Sequence, residues 1–216
     1  MSSDEVVLEQ VTNWMTTISL FLLISFGLFG CICNIIIFTS KKLEKNSCAF
    51  YFLCTAIFES FILCIGGISR LATEHFGSQF LNQNRIFCKI RSYLITTLGT
   101  IATYLLLLAA IDRCMATSVH VRYRAFSQKK VAYRIVFMTN IITMIINIHI
   151  FIFFDLQPTC IPKPGIYSIF YSLYFIIWTG ILPDGLILLF TAWTFQNIKK
   201  LRMRKQRTET QLITVS

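Results

Sequence analysis

The stretch Cys88–Cys114, CKIRSYLITTLGTIATYLLLLAAIDRC, holds no charged residue between Ser92 and Ile111 and closes on Asp112-Arg113. At about 1.5 Å per residue a helix over that uncharged run covers the roughly 30 Å hydrocarbon core of a bilayer. The apolar residues are continuous rather than alternating with period two, which disfavours a barrel strand. A backbone in lipid must satisfy its own hydrogen bonds, and a helix does so.

Similar runs lie on either side. Ile18–Phe38 and Ile135–Phe154 carry no charge, Cys48–Ser69 carries only Glu59, and Gly165–Ile198 carries only Asp184. The 216 residues are 55% hydrophobic and 14% charged, against about a quarter charged in a soluble domain. The reading is an all-α polytopic transmembrane helix bundle spanning 16–198, with helices over about 16–40, 47–70, 86–117, 131–154 and 165–198. Asp4, Glu5 and Glu9 precede the first run with no basic residue, so it reads as a retained anchor rather than a cleaved leader.

A net charge of +10 invites a nucleic-acid reading, but the positions of the basic residues exclude it. Lys41, Lys42 and Lys45 follow the first run. Arg113, Arg122, Arg124, Lys129, Lys130 and Arg134 lie around the third connection. Lys199, Lys200, Arg202, Arg204, Lys205 and Arg207 follow the fifth run. The positive-inside rule puts these clusters in the cytoplasm, where they also meet membrane lipid. Residues 1–15 are then extracellular, and 199–216 form a basic cytoplasmic tail. The loops Leu71–Phe87 and Asp155–Pro164 are outside. Pro158, Pro162 and Pro164 make the second of these stiff and non-helical.

Of eight cysteines, Cys88 and Cys160 are the two that this topology exposes to an oxidising compartment, where a disulfide can form and persist. Two free thiols are the alternative. Cys31, Cys33, Cys54 and Cys64 fall at lipid depth as small apolar fillers, and no metal-ligand spacing is present. Arg113 lies about 37 Å along a helix from Cys88, so the two mark opposite rims of one rod. The acid and base of Asp112-Arg113 can hold each other until a partner competes, or can serve as a plain stop signal. Intramembrane Glu59 and Asn34 can meet between antiparallel neighbours as a polar core, either holding a cation or water or acting as protonated glue. Pro183 bends the fifth helix and can aim Asp184 into a polar cavity, the alternative being a structural kink with a satisfied carboxyl. Asn140, Thr143 and Asn147 share one face of the fourth helix. His149 lacks partners for a metal.

Taken in order, Gly30–Asn34, Leu53/Ala56/Glu59, Cys88 with Cys160, Asp112-Arg113-Cys114 and Pro183 resemble the helix motifs of a rhodopsin-like (family 1, class A) G-protein-coupled receptor. Asn34–Phe52 resembles orphan, peptide-receptor-like members. The resemblance covers nearly the whole chain but five of the family's seven helices, so it implies a fragment or truncated form. It implies a plasma-membrane receptor that senses an extracellular ligand, signals through a heterotrimeric G protein read at Asp112, Arg113 and Cys114, and can form a receptor oligomer. It implies an outer ligand pocket among Ile95, Thr96, Gly99, Phe175 and Thr179. Ile95 stands where amine receptors carry an aspartate, which disfavours an amine and favours a peptide or another ligand that requires no ammonium partner. Glu59 for aspartate, Ala102 for serine, Cys114 for tyrosine and Thr191 for tyrosine depart from the family pattern. A truncated, non-signalling form that associates with full-length receptors is a second reading. A small transporter or channel ranks lower, because Glu59 and Asp184 alone supply intramembrane charge. No enzyme motif, cofactor site or metal site is read.

Overall fold

The computed structural model describes residues 3–41, 43, 46–75, 84–118, 127–157 and 159–215. Helices α1 (Ser3–Phe38), α2 (Ser47–Ile62), α3 (Ile68–His75), α4 (Arg85–Ala116), α5 (Lys129–Ile146), α6 (Ile148–Phe153), α7 (Ile166–Tyr174) and α8 (Leu182–Val215) follow one another. A π-helical segment, Leu63–Gly67, fuses α2 to α3, and another, Phe175–Ile181, fuses α7 to α8. A hairpin of β1 (Phe154–Gln157) and β2 (Thr159–Pro162) interrupts this all-α chain. Among the described residues five stretches are long and apolar enough to cross a membrane: Trp14–Phe38, Ser47–Leu71, Arg85–Ala116, Lys129–Phe153 and Ile166–Arg204. The chain is a multi-pass, all-α membrane bundle.

Several boundaries differ from the sequence reading, each for a local reason. Helix α1 begins at Ser3, well before residue 16, because nothing in the polar lead-in breaks a helix. The fourth helix is broken at Asn147 (φ −79°, ψ −2°), and Phe154 turns to extended backbone (ψ 141°). The fifth helix runs past residue 198 to Val215. Its π-helical segment precedes Pro183, whose ring would crowd the carbonyl four residues back, that of Thr179; the wider π turn moves that carbonyl away. The Leu182 N–H accordingly donates five residues back, to the Ile177 carbonyl.

Helix α4 is the hub. Within its apolar window 44% of residues are buried, against 6% in the first and fifth spans. Ile101, Leu105 and Ala109 of α4 close on Cys48 and Tyr51 of α2 and on Ala132 and Val136 of α5. The first two spans approach through small residues. A Cβ on Gly67 would sit 2.7 Å from Ile24 Cδ1, and one on Gly27 would sit 2.8 Å from Leu63 Cδ1. Close backbone approach of this kind packs helices that gain nothing from the hydrophobic effect in lipid. Hydroxyls at lipid depth turn onto their own helix, as Thr100 does onto the Thr96 carbonyl at 2.8 Å and Thr103 onto the Gly99 carbonyl at 3.0 Å. The large exposed apolar side chains of α1, α7 and α8, among them Phe26, Phe29, Ile169 and Leu188, suit an acyl-chain solvent.

Candidate functional site

Helix α4 carries chemistry at both ends. At the first, Asn84 caps the helix, its side-chain oxygen accepting from the Ile86 and Phe87 N–H groups. One turn in, fully buried Cys88 is bonded to Cys160, with Cα atoms 5.7 Å apart. Cys160 lies on β2 opposite Leu156 of β1, so the disulfide ties the hairpin to α4. The hairpin is pinned again by charge. Arg85 Nε lies 2.6 Å from Asp155 Oδ1, and its Nη2 donates to Oδ2 at 2.8 Å. Lys89 Nζ donates to the Ile152 carbonyl at 3.3 Å. The Leu156 N–H, then the Arg85 guanidinium and the Lys163 charge, hold the Asp155 carboxyl below its ordinary value, against an opposing push from burial. Pro158 lies outside the described residues. Pro162 ends β2, where a missing N–H costs no ladder bond, and Gly165, at φ 111°, makes the turn into α7.

At the other end of α4, Asp112 and Arg113 face different neighbours, and no ion pair joins them. The buried Asp112 carboxylate accepts from the Ser47 hydroxyl at 2.8 and 3.0 Å, and Ser47 Oγ lies 3.1 Å from Ser127 Oγ. Arg113 Nε donates to Cys48 Sγ at 3.1 Å, and the guanidinium carbon lies 5.2 Å from the Phe52 ring centroid. Asn46 caps α2, accepting from the Cys48 N–H at 3.0 Å, and so sets Ser47 and Cys48 against α4. Cys114 is buried and free. A cavity of about 330 Å³ opens beside Arg113, walled by Phe38, Leu43, Phe52, Ala116 and, from α8, Thr194 and Ile198.

Asn34 and Glu59 line a second cavity, also of about 330 Å³, between α1 and α2, together with Gly27, Gly30, Cys31 and Leu63. No hydrogen bond joins the two side chains among the described residues. Pro183 is buried, whereas Asp184 is exposed on the outside of the bundle and lines neither cavity.

The five expected pocket residues lie on α4 and on the π-helical segment Phe175–Ile181, which Tyr104 of α4 meets at the Trp178 carbonyl. Thr96 Oγ1 lies 3.4 Å from the Tyr171 hydroxyl. Ile95 reaches towards Gly66 of the π-helical segment, 3.5 Å from where a Cβ would be. Open space lies beside Gly99. Phe175 is 49% exposed, and Thr179 donates back to the Phe175 carbonyl. Neither cavity contains any of them.

The sequence reading missed the contacts between the fourth and fifth helices. Fully buried Asn147 accepts from the Tyr174 hydroxyl at 2.8 Å, while its Nδ2 and both ring nitrogens of His149 are buried with no partner among the described residues. The rings of Tyr167, Phe170 and Tyr174 stand edge-on to His149. From the third span, Tyr104 donates to the Trp178 carbonyl of the fifth at 3.1 Å. The aromatic spacing 167, 170, 171, 174, 178 was the available signal, since it marks one helical face. The Ser47 and Cys48 contacts carried none, because they depend on where two distant helices cross. Among the described residues no His, Cys, Asp and Glu group is placed to hold a metal. No protein-family model matches this chain and no curated protein matches it, so its functional reading rests on this geometry and on the motif resemblance.

Proposed function

We propose that this chain is the five-helix part of a rhodopsin-like G-protein-coupled receptor in the plasma membrane, with the Cys88 end outside and the Arg113 end facing the cytoplasm. An extracellular ligand, a peptide rather than an amine, engages the bundle beside the hairpin and shifts it between two packings. A heterotrimeric G protein reads the change at Arg113. The observation that carries this reading is a single helix tied to a disulfide-bonded hairpin at one end and presenting Arg113 to an open cavity at the other. Asp112 turned onto Ser47 supports it, because Arg113 is left without a carboxylate and can accept an incoming partner. The orientation follows from the basic residues clustered at the Arg113 end.

The test is nucleotide exchange by purified heterotrimers on nanodiscs holding the chain. With the chain in a form that carries all seven helices of the family, exchange is expected with the native sequence and is lost in Arg113→Ala; exchange unchanged by that substitution refutes the role of Arg113. A second reading is an association partner for full-length receptors. It is favoured by the apolar windows of the first and fifth spans, only 6% of which are buried, leaving two wide faces free to pair in the membrane. Co-expression should then lower the surface level of a full-length receptor, and an unchanged level opposes it.

A further inference from the structure

We propose that the cavity at the Arg113 end binds the phosphate of an anionic phospholipid drawn from the adjoining leaflet. Arg113 is the one cation among the cavity's described lining residues, and it is incompletely used. Arg113 is exposed, its Nε is spent on a thiol sulfur, a weak acceptor, and one face of the guanidinium lies towards Phe52. Among the described residues no carboxylate lies within ion-pair distance, because the adjacent acid is committed to Ser47. The terminal nitrogens therefore keep the planar fork that matches two oxygens of a phosphate.

The walls say what carries the phosphate. Phe38, Leu43, Ala49, Phe52, Ala116 and Ile198 make most of the wall apolar, and Asn46, Cys48, Thr117, Thr194 and the Asp112 carboxylate, itself bonded to Ser47, complete it. A fully hydrated polyanion would lose water against the apolar part of the wall and would meet the Asp112 carboxylate, whereas an amphiphile sets one charge on Arg113 and glycerol and acyl carbons on the apolar part. The level is also that of a headgroup. The cavity lies where the apolar run of α1 ends at Phe38, where Asn46 caps α2, and where Ile198 gives way to exposed Lys199 and Lys200. Cations at that level raise the local concentration of anionic lipid before one enters. The site does not depend on the chain being a receptor, since no G protein enters the argument or its test.

The test is native mass spectrometry of the full chain released from nanodiscs of phosphatidylcholine doped with phosphatidic acid. One phosphatidic acid is expected to stay bound in preference to phosphatidylcholine. Arg113→Gln should lower that retention by about tenfold, the usual worth of a hydrogen bond to a charged group, with Arg113→Lys falling between. Lys199→Gln, outside the cavity, should leave it within about twofold. Intact mass showing the Cys88–Cys160 bond establishes that each variant has folded. Equal retention by the native chain and both Arg113 variants overturns the proposal, as does equal retention of the two lipids. Displacement by inorganic phosphate at matched concentration overturns the lipid assignment in favour of a free-anion site, and displacement by a soluble peptide carboxylate overturns it in favour of a protein terminus.

Discussion

Ser47 shows how one hydroxyl decides the disposition of two charges. By donating to the two oxygens of Asp112 it satisfies a buried carboxylate that makes no ion pair with Arg113. Ser47→Ala should cost about 1.5–3 kcal/mol, because it strands a charged acceptor. Thermal unfolding should show the loss, and Asp112→Asn in the Ser47→Ala background should recover part of it, a coupling that a double-mutant cycle measures. Asp155 makes the other residue-scale prediction. A carboxyl held below its unfolded value, near 3.8, contributes stability that is fully present above that value and is lost as pH falls through the lower folded value. Protease resistance of the hairpin should therefore decline on acidification below about pH 4, and Arg85→Ala should move the decline to higher pH. An acid profile unchanged by that substitution would show that the Leu156 N–H and the Lys163 charge hold the carboxylate without Arg85.

Proline 183 and its neighbour set the character of the fifth helix. The π-helical segment that accommodates the ring changes the helical phase, burying Pro183 and leaving Asp184 exposed at lipid depth. A carboxyl there costs roughly 2.5–3.5 kcal/mol of insertion free energy. Asp184→Leu should make the fifth span insert more readily by about that amount in a membrane-insertion assay. No change would mean that a polar group covers Asp184 in the membrane. The sequence reading gave Asp184 a choice between a polar cavity and a satisfied carboxyl, and the exposed position is neither. Phase after a π turn cannot be counted from residue spacing, because the turn adds a residue to the helical period.

Across the whole molecule the hairpin is joined to α4 by the disulfide and by the Arg85–Asp155 pair. The bridge closes a sequence separation of 72 residues, which in the chain-entropy account stabilises by on the order of 4 kcal/mol. Cys88→Ser should lower the melting temperature and free the Cys160 thiol to alkylation, with Cys160→Ser giving the same fall. Unequal falls would show that one sulfur packs for reasons other than the bond.

What the sequence determined by itself was set by solvent: uncharged runs too long for anything but lipid-depth helices, charge sorted to one end, and a cysteine and an arginine at opposite ends of one helix. These follow from desolvation costs that act residue by residue, so composition and spacing suffice to read them. Tertiary structure decided the rest. It turned Asp112 to Ser47 and Arg113 to Cys48, and brought Asn34 and Glu59 to one cavity without bonding them. Each outcome depends on the crossing and rotation of helices far apart in the chain, and a shift of a few ångströms there exchanges one hydrogen-bond partner for another.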